Sequence, residues 1–154
     1  MHRRYERVKE MCSHVDQCNY TMALKGGPNS DSKGYFVSPS IVDNPPEDSR
    51  IVREEPFGPI FPILKWSDEN DVIDRANDTD AGLGASVWTK DLDRAERMAR
   101  CLQAGSVWIN SHFNVSPIAP FGGHKTSGIG SEYGMTGLKA YCNSRSIWKW
   151  KNVM

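Results

Sequence analysis

The strongest constraint on the fold is the order in which apolar segments follow one another along the chain. Short apolar runs at residues 61–66, 83–88 and 106–110 have the length of β-strands. Amphipathic helical patterns at residues 70–76 and 92–102 separate these runs. Strands that alternate with helices are typical of right-handed crossovers, which place the strands in a parallel sheet. The sequence therefore predicts an α/β protein, with ligands expected at the carboxyl ends of the strands.

The helix at residues 92–102 is the clearest predicted element. Its apolar residues repeat at helical spacing along one face, and they are Leu92, Ala95, Met98, Ala99 and Leu102. Gly105 follows where helices commonly end in a left-handed cap. Ser67 or Asp68 is predicted to cap the start of the preceding helix.

The outer segments fit the same class of fold. Residues 4–20 repeat apolar side chains at helical spacing, and residues 131–140 form a weaker helical pattern. Residues 35–37 and 41–42 are predicted strands. Residues 143–150 alternate polar and apolar side chains, which predicts a last strand. A terminal strand with apolar side chains usually requires a pairing partner.

Composition excludes several classes of partner. The chain has 154 residues, which allows one domain with a sizeable core. Its 19 basic and 19 acidic residues cancel without forming long blocks, which argues against a nucleic-acid partner. No apolar stretch approaches the roughly 20 residues that cross a bilayer, and the basic residues near the start precede no apolar run. We therefore expect no membrane association and a cytoplasmic location.

The cysteines and histidines do not form a recognisable reactive site. Cys12, Cys18, Cys101 and Cys142 are spaced irregularly, unlike a disulfide framework or a zinc module. We therefore predict no metal site. No histidine lies in a sequence context typical of a nucleophile–base pair. His112 follows a predicted strand and could contact a substrate, although a lone loop histidine is more often solvated.

Two loop-forming segments carry the functional pattern. Residues 54–59 (EEPFGP) and residues 119–128 (APFGGHKTSG) each combine glycine, proline, an aromatic ring and charge within a few positions. This mixture suits neither a core helix nor a plain strand. It is typical of a rigid loop that holds polar groups against a ligand, and together the two segments indicate an enzyme that uses a cofactor.

Four motifs in order resemble the aldehyde dehydrogenases. Residues 53–59 (REEPFGP) resemble the cofactor-side motif of that family, and residues 83–89 (LGASVWT) resemble the segment that follows it. Residues 105–110 (GSVWIN) are similar to the Gly-x-Val-x-Val-Asn strand, and residues 120–134 are similar to the C-terminal signature. The resemblance covers nearly the whole chain. It implies the rear part of a parallel-sheet catalytic domain, in an enzyme that oxidises a small-molecule aldehyde to a carboxylic acid.

The resemblance implies a cofactor role for the first loop. Glu55 would accept hydrogen bonds from ribose hydroxyls of the nicotinamide half of NAD or NADP, since charge-assisted hydrogen bonds are strong. Phe57 would pack near the nicotinamide ring and fix its orientation for hydride transfer. Two contacts are not expected to bind a dinucleotide tightly without the rest of a cofactor domain.

The resemblance implies a substrate role for the second loop. Asn110 would support the active-site loop, and the residues after it would line the aldehyde tunnel. Phe121 matches a tunnel aromatic residue, whereas Val115 stands where many members carry another and would widen the tunnel. Gly122 and Gly123 are expected to allow a backbone turn that side chains would block.

The family's catalytic cysteine and glutamate base match no residue of this chain, because both lie upstream of the first predicted helix. We therefore expect a fragment that is inactive by itself. Residues 1–142 would be the C-terminal portion of the catalytic domain, and residues 143–154 would be an oligomerisation strand and tail. The alternative is a non-catalytic protein that adds residues 143–150 to the sheet of a full-length aldehyde dehydrogenase or of another copy.

Overall fold

The computed structural model of this chain describes residues 2–29 and 33–151. The helices are α1 (His2–Gln17), α2 (Arg50–Arg53), α3 (Glu69–Asn77), α4 (Leu92–Cys101) and α5 (Gly134–Ala140), with a short 3-10 helix at Lys125–Ser127. The strands are β1 (Met22–Leu24), β2 (Gly27–Pro28), β3 (Val37–Ser38), β4 (Ser40–Asp43), β5 (Ile60–Ile63), β6 (Gly84–Val87) and β7 (Ser106–Ile109). The chain divides into two compact units, one that ends at Ser67 and one that begins at Asp68.

The first unit is built on a mixed sheet with the strand order β1-β4-β5. β4 and β5 are parallel, with Ser40 opposite Ile60, and β1 is antiparallel to β4. A separate antiparallel pair joins β2 to β3. The predicted strand at residues 61–66 is therefore confirmed as β5, but it pairs with β4 rather than with the later strands of the chain.

Helix α1 supplies one side of the core of the first unit. Val8, Met11 and Val15 lie on one face and are almost fully buried, because they recur three and four residues apart. They pack with buried residues of the sheet and of α2, namely Val42, Ile51 and Ile60. The predicted helix at residues 4–20 ends earlier than expected, because Asn19 adopts a left-handed conformation (φ 53°).

The second unit contains a β6-α4-β7 crossover. β6 and β7 are parallel, with Ser86 opposite Trp108, which confirms the parallel pairing predicted from the alternation of strands and helices. Ala95 of α4 is fully buried, and α4 packs on both strands. Asp68 caps α3 by accepting a hydrogen bond from the backbone N–H of Asp71 at 2.9 Å, so the predicted N-cap is confirmed at Asp68.

The prediction that Gly105 forms a left-handed cap of α4 is wrong. Gly105 has no positive φ, and the cap position is Leu102, whose backbone is extended. The end of α4 is instead bound by Asn77, whose amide donates to the Cys101 carbonyl at 2.9 Å and accepts from the N–H of Gln103 at 2.8 Å. Gly105 is required for space, because a Cβ atom there would lie 1.7 Å from the Gly122 carbonyl oxygen.

The C-terminal part of the second unit has less regular structure than predicted. The weak helix expected at residues 131–140 begins at Gly134, because Glu132 pairs with Phe121 in an isolated antiparallel bridge and Tyr133 is left-handed. The strand predicted at residues 143–150 does not form within the described chain, where these residues are exposed and pair with no strand. An isolated edge strand is not stable without a partner. Residues 152–154 of the predicted tail lie outside the described residues.

Among the described residues, no helix combines the length and the apolar character that a membrane crossing requires.

Candidate functional site

The two neighbouring glutamates after α2 differ in their environment. Glu54 accepts a hydrogen bond from Nε of Arg50 at 2.9 Å, and Arg50 also donates to Glu10 at 2.9 Å. The hydrogen bond that Arg50 donates to Glu54, followed by the one that it donates to Glu10, raises the pKa of Arg50. Glu55 is exposed and makes no side-chain hydrogen bond or ion pair to any other described residue. Of the pair, only Glu55 therefore has a carboxylate without a partner among the described residues.

Phe57 follows Glu55 by two residues and presents an exposed aromatic ring. Its backbone is left-handed (φ 49°), and 59% of its surface is exposed. The guanidinium of Arg4 lies over the ring, with its central carbon 5.0 Å from the ring centroid, which is a cation–π geometry. A left-handed conformation at a bulky residue is strained and is often associated with function.

An open cavity adjoins this ring in the first unit. Its volume is about 370 Å³, and it is lined by Arg4, Tyr5, Val8, Tyr35, Phe36, Val37, Phe57, Gly58 and Pro59. A smaller recess of about 150 Å³ lies between Arg4, Arg7, Pro56 and Phe57. Gly58 brings the loop close to α1, because a Cβ atom there would lie 2.3 Å from a methyl group of Val8. Aromatic faces and guanidinium groups around these cavities suit a planar, polar ligand.

The second unit holds the predicted supporting asparagine. Asn110 follows β7 directly and is left-handed (φ 51°). Its amide accepts a hydrogen bond from the N–H of Thr89 at 2.9 Å and donates one to the Thr89 carbonyl at 2.8 Å. Asn110 therefore ties the carboxyl end of β7 to the segment that follows β6. This position at the strand end is the one predicted from the sequence.

The loop after Asn110 carries a row of aromatic rings. Phe113 meets Phe121 edge to face, with ring centroids 6.1 Å apart and planes at 86°. Val115 is half-buried, as is Phe121. The structure therefore places Phe121 against Phe113, a contact that the sequence did not indicate. The roles of Val115 and Phe121 in an aldehyde tunnel stay predictions.

The structure brings together Ser86 and His112, which sequence analysis did not connect. The Ser86 hydroxyl lies 2.8 Å from Nδ1 of His112. The only signal in the sequence was indirect, since Ser86 lies on one predicted strand and His112 follows the next strand of the same predicted sheet.

Gly122 and Gly123 lie where the chain passes close to itself. A Cβ atom on Gly122 would lie 2.6 Å from the Gly130 carbonyl oxygen, and one on Gly123 would lie 2.6 Å from Cβ of Ser127. Neither glycine has a positive φ, so space rather than backbone conformation excludes side chains here. An open cavity of about 400 Å³ adjoins both residues and is lined partly by Phe121 and Glu132.

The cysteines lie apart from these features. None of the cavities given above is lined by a cysteine. Cys12 packs against the core of the first unit, and its burial, together with the charge of Asp16, raises the pKa of its thiol. Sγ of Cys18 lies 3.6 Å from Nε2 of His14. Cys101 and Cys142 are exposed and form no disulfide bond. Among the described residues, histidine, cysteine and carboxylate side chains form no cluster that could hold a metal ion.

Comparison with known proteins agrees with the four sequence motifs. Residues 1–147 match the Aldehyde dehydrogenase family. The chain is 45% identical over 143 residues to Aldehyde dehydrogenase 1A1 of Gallus gallus, which covers 93% of this chain and 28% of that protein. It is 48% identical over 116 residues to Betaine aldehyde dehydrogenase of Mesorhizobium japonicum, which covers 75% of this chain and 24% of that protein.

The fold is similar to that of solved relatives. The NAD+ complex of aldehyde dehydrogenase from Bacillus cereus superimposes with a TM-score of 0.92 at 38% identity, over 99% of this chain and 31% of that chain. The chain thus spans less than a third of the length of these relatives. Because the family match extends over nearly all of its residues, this chain belongs to the aldehyde dehydrogenase family.

Proposed function

We propose that this chain forms the part of an NAD(P)-dependent aldehyde dehydrogenase that holds the nicotinamide ribose and lines the path of the aldehyde. The observation that carries the proposal is the difference between the paired glutamates. Arg50 binds Glu54, whereas Glu55 is exposed and precedes the exposed ring of Phe57 by two residues. The Bacillus cereus relative, solved as an NAD+ complex, supports NAD as one such cofactor.

The residues of the first unit fit the nicotinamide half of the cofactor. The two oxygens of the Glu55 carboxylate can accept hydrogen bonds from two neighbouring ribose hydroxyls. The exposed face of Phe57 can pack on a flat ring and restrict its orientation. When bound, the cofactor would supply the hydride acceptor for aldehyde oxidation. The first unit would contribute orientation of the ribose and ring, and the second unit would contribute apolar walls around the aldehyde.

The chemistry also requires a thiolate nucleophile and a carboxylate base, and we propose that other parts of a longer enzyme supply them. Cys12 is poorly suited to attack a carbonyl, because a raised pKa keeps its thiol protonated at neutral pH. We therefore propose that the chain by itself does not oxidise aldehydes, and that it would act in a reducing compartment such as the cytoplasm.

The cofactor role can be tested in a chimeric enzyme. The 154 residues of this chain would replace the matching segment of the Bacillus cereus aldehyde dehydrogenase, and formation of reduced cofactor would be followed by absorbance. Glu55→Gln should raise the KM for NAD roughly tenfold or more, because charge-assisted hydrogen bonds are lost. Glu54→Gln is the matched control and should leave that KM unchanged. Equal effects of the two substitutions would contradict the assignment of Glu55.

The proposed inactivity has its own test. The purified chain would be incubated with NAD or NADP and several aldehydes, with a heat-inactivated sample as control. We expect no formation of reduced cofactor above that control. Turnover by the chain alone would show that one of its own side chains supplies the nucleophile.

A second candidate function is supported by the exposed tail. Ile147, Trp148 and Trp150 are 83%, 94% and 84% exposed and belong to no strand of the described chain. We propose that this segment can add as a strand to the sheet of a full-length aldehyde dehydrogenase. Co-purification with such an enzyme should be lost in Ile147→Pro and kept in Ile147→Val, since proline removes a donor that strand pairing requires. Equal recovery of both variants would exclude this mode of pairing.

A further inference from the structure

The parallel register of β6 and β7 places side chains of both strands on one face of the sheet. This face lies beside the loop from Ser111 to Phe121, which we call the aromatic loop. Ser86 pairs with Trp108, so both side chains project from the same side of the sheet. Gly84, two residues before Ser86, leaves room for the indole, because a Cβ atom there would lie 2.6 Å from Cζ3 of Trp108. The hydroxyl of Ser86 therefore stands beside the indole ring on this face.

His112 folds back over this face after β7 ends. Its Nδ1 lies 2.8 Å from the Ser86 hydroxyl, and its ring meets Trp108 edge to face at 5.6 Å and 69°. Phe113 lies 6.2 Å from both rings, and its other neighbour is Phe121. A continuous row of rings thus runs from the sheet to Phe121, and one hydrogen bond to β6 anchors the imidazole within it.

The loop conformation requires such anchors. Asn110 and Phe113 are both left-handed, a conformation that asparagine tolerates but that is strained for a bulky residue such as Phe113. The start of the loop is tied to Thr89 through the amide of Asn110. Its far side is tied by the Trp108 indole N–H, which donates to the Asn114 carbonyl at 2.9 Å. Between these two ties, the hydrogen bond of His112 to Ser86 is the link that precedes Phe113 directly.

We propose that Ser86 and His112 form a positioning pair that fixes Phe113 against Phe121 and so selects aldehydes with an apolar, ring-sized group. Phe113 is 62% exposed, so its face is available to such a group. Aromatic walls bind aromatic groups through offset or edge-to-face contacts. The substrate part of this inference rests on the proposed function, whereas the positioning part concerns the chain itself.

The positioning part is tested by NMR on the full chain. Ser86→Ala should change the 15N shifts of the His112 ring and speed hydrogen exchange of the Trp108 indole N–H, because the imidazole loses its anchor. Ser86→Thr keeps a hydroxyl and should restore both signals. Ser106→Ala, on the neighbouring strand, is the matched control and should change neither signal. Unchanged His112 and Trp108 signals in a folded Ser86→Ala variant would overturn the proposal.

The substrate part is tested in the chimera described above. Ser86→Ala should raise the KM for benzaldehyde relative to that for acetaldehyde by roughly three- to tenfold, the effect of about one hydrogen bond. The KM for NAD should not change, and Ser86→Thr should restore the ratio. An active chimera with an unchanged ratio would overturn this inference alone. A chimera without any activity would overturn the proposed function, and with it the substrate role of the pair.

Discussion

Asn110 and Thr89 exchange two hydrogen bonds across the carboxyl ends of β7 and β6, with lengths of 2.8 and 2.9 Å. The exchange resembles a short continuation of the parallel ladder, in which a side-chain amide replaces a peptide group. The N–H of Asn110 also donates to the Val87 carbonyl at 2.8 Å. The start of the aromatic loop is therefore fixed to the sheet by both the backbone and the side chain of one residue.

Two substitutions of Asn110 should separate the contribution of its side-chain hydrogen bonds to stability from the effect of its left-handed backbone. Asn110→Ala should destabilise the chain by about 2 kcal/mol, because two hydrogen bonds are lost and alanine is strained in a left-handed conformation. Asn110→Gly removes the same hydrogen bonds but tolerates the positive φ, so it should be about 1 kcal/mol less harmful. Urea unfolding followed by circular dichroism measures both. Equal losses would show that backbone strain at this position is negligible.

Replacement of Gly105 should be among the most disruptive changes in the second unit. Gly105→Ala would place a Cβ atom 1.7 Å from the Gly122 carbonyl oxygen, which is backbone and cannot move aside cheaply. We expect a loss of more than about 2 kcal/mol, or failure to fold. Gly130→Ala is the control, because no atom lies within 4 Å of its added Cβ and only its φ of 88° opposes the substitution. The thermal midpoint of Gly105→Ala should fall well below that of Gly130→Ala.

Glu69 should make the stability of the second unit depend on pH. The hydrogen bond from Arg97 at 3.0 Å, together with the charge of Arg94, lowers the pKa of Glu69 below its ordinary value of 4.5. A lowered pKa in the folded state stabilises the fold above that ordinary value, and the benefit is lost as the pH falls through the lowered pKa. Glu69→Gln should therefore be modestly less stable than the natural chain at neutral pH, and the difference should vanish in acid.

The matched control for Glu69 is Glu96→Gln, which removes a highly exposed ion pair with Arg100 on α4. Exposed pairs of this kind contribute little to stability. Denaturant titrations at several pH values would measure both variants. A difference between Glu69→Gln and the natural chain that stays constant down to strongly acidic pH would contradict the ion-pair explanation.

Lys125 should stabilise the end of α3. Its ammonium group donates to the carbonyls of Asn77 at 2.6 Å and Thr79 at 2.8 Å, and a positive charge at a helix C-terminus is favourable. Lys125→Met keeps the aliphatic stem and should cost about 1–2 kcal/mol. Lys90→Met, in an exposed position, should have little effect. Backbone amides at the end of α3 should exchange hydrogen faster in Lys125→Met and not in Lys90→Met. This result would show that the loss of stability lies at that helix end.

Much of the local structure could be predicted because short-range rules determine it. The apolar face of α4 contains Ala95, which is fully buried, and Asp68 caps α3 as its residue type suggests. The motif that ends at Asn110 places this residue at the end of β7, where a left-handed asparagine is tolerated. Each of these outcomes depends on periodicity, on capping chemistry or on a motif contained within a few positions.

Other features depend on residues that are distant in the sequence, and only the tertiary structure decided them. The neighbouring sequence predicts a helix cap at Gly105. Instead, a glycine is required there because the carbonyl of Gly122, 17 positions later, leaves no space for a side chain. The hydrogen bond between Ser86 and His112 depends on the register of β6 against β7, which no local pattern encodes.

The amino-acid sequence by itself thus determined the class of fold, the positions of α3 and α4, and the family to which the loops at Glu55 and Phe121 belong. The tertiary structure decided that Arg50 binds Glu10, 40 positions earlier in the sequence, in addition to Glu54 four positions later. It also decided that residues 143–150 form no strand within the described chain. The physical reason is the same in each case: hydrogen bonds between distant segments form only when the fold brings both partners together.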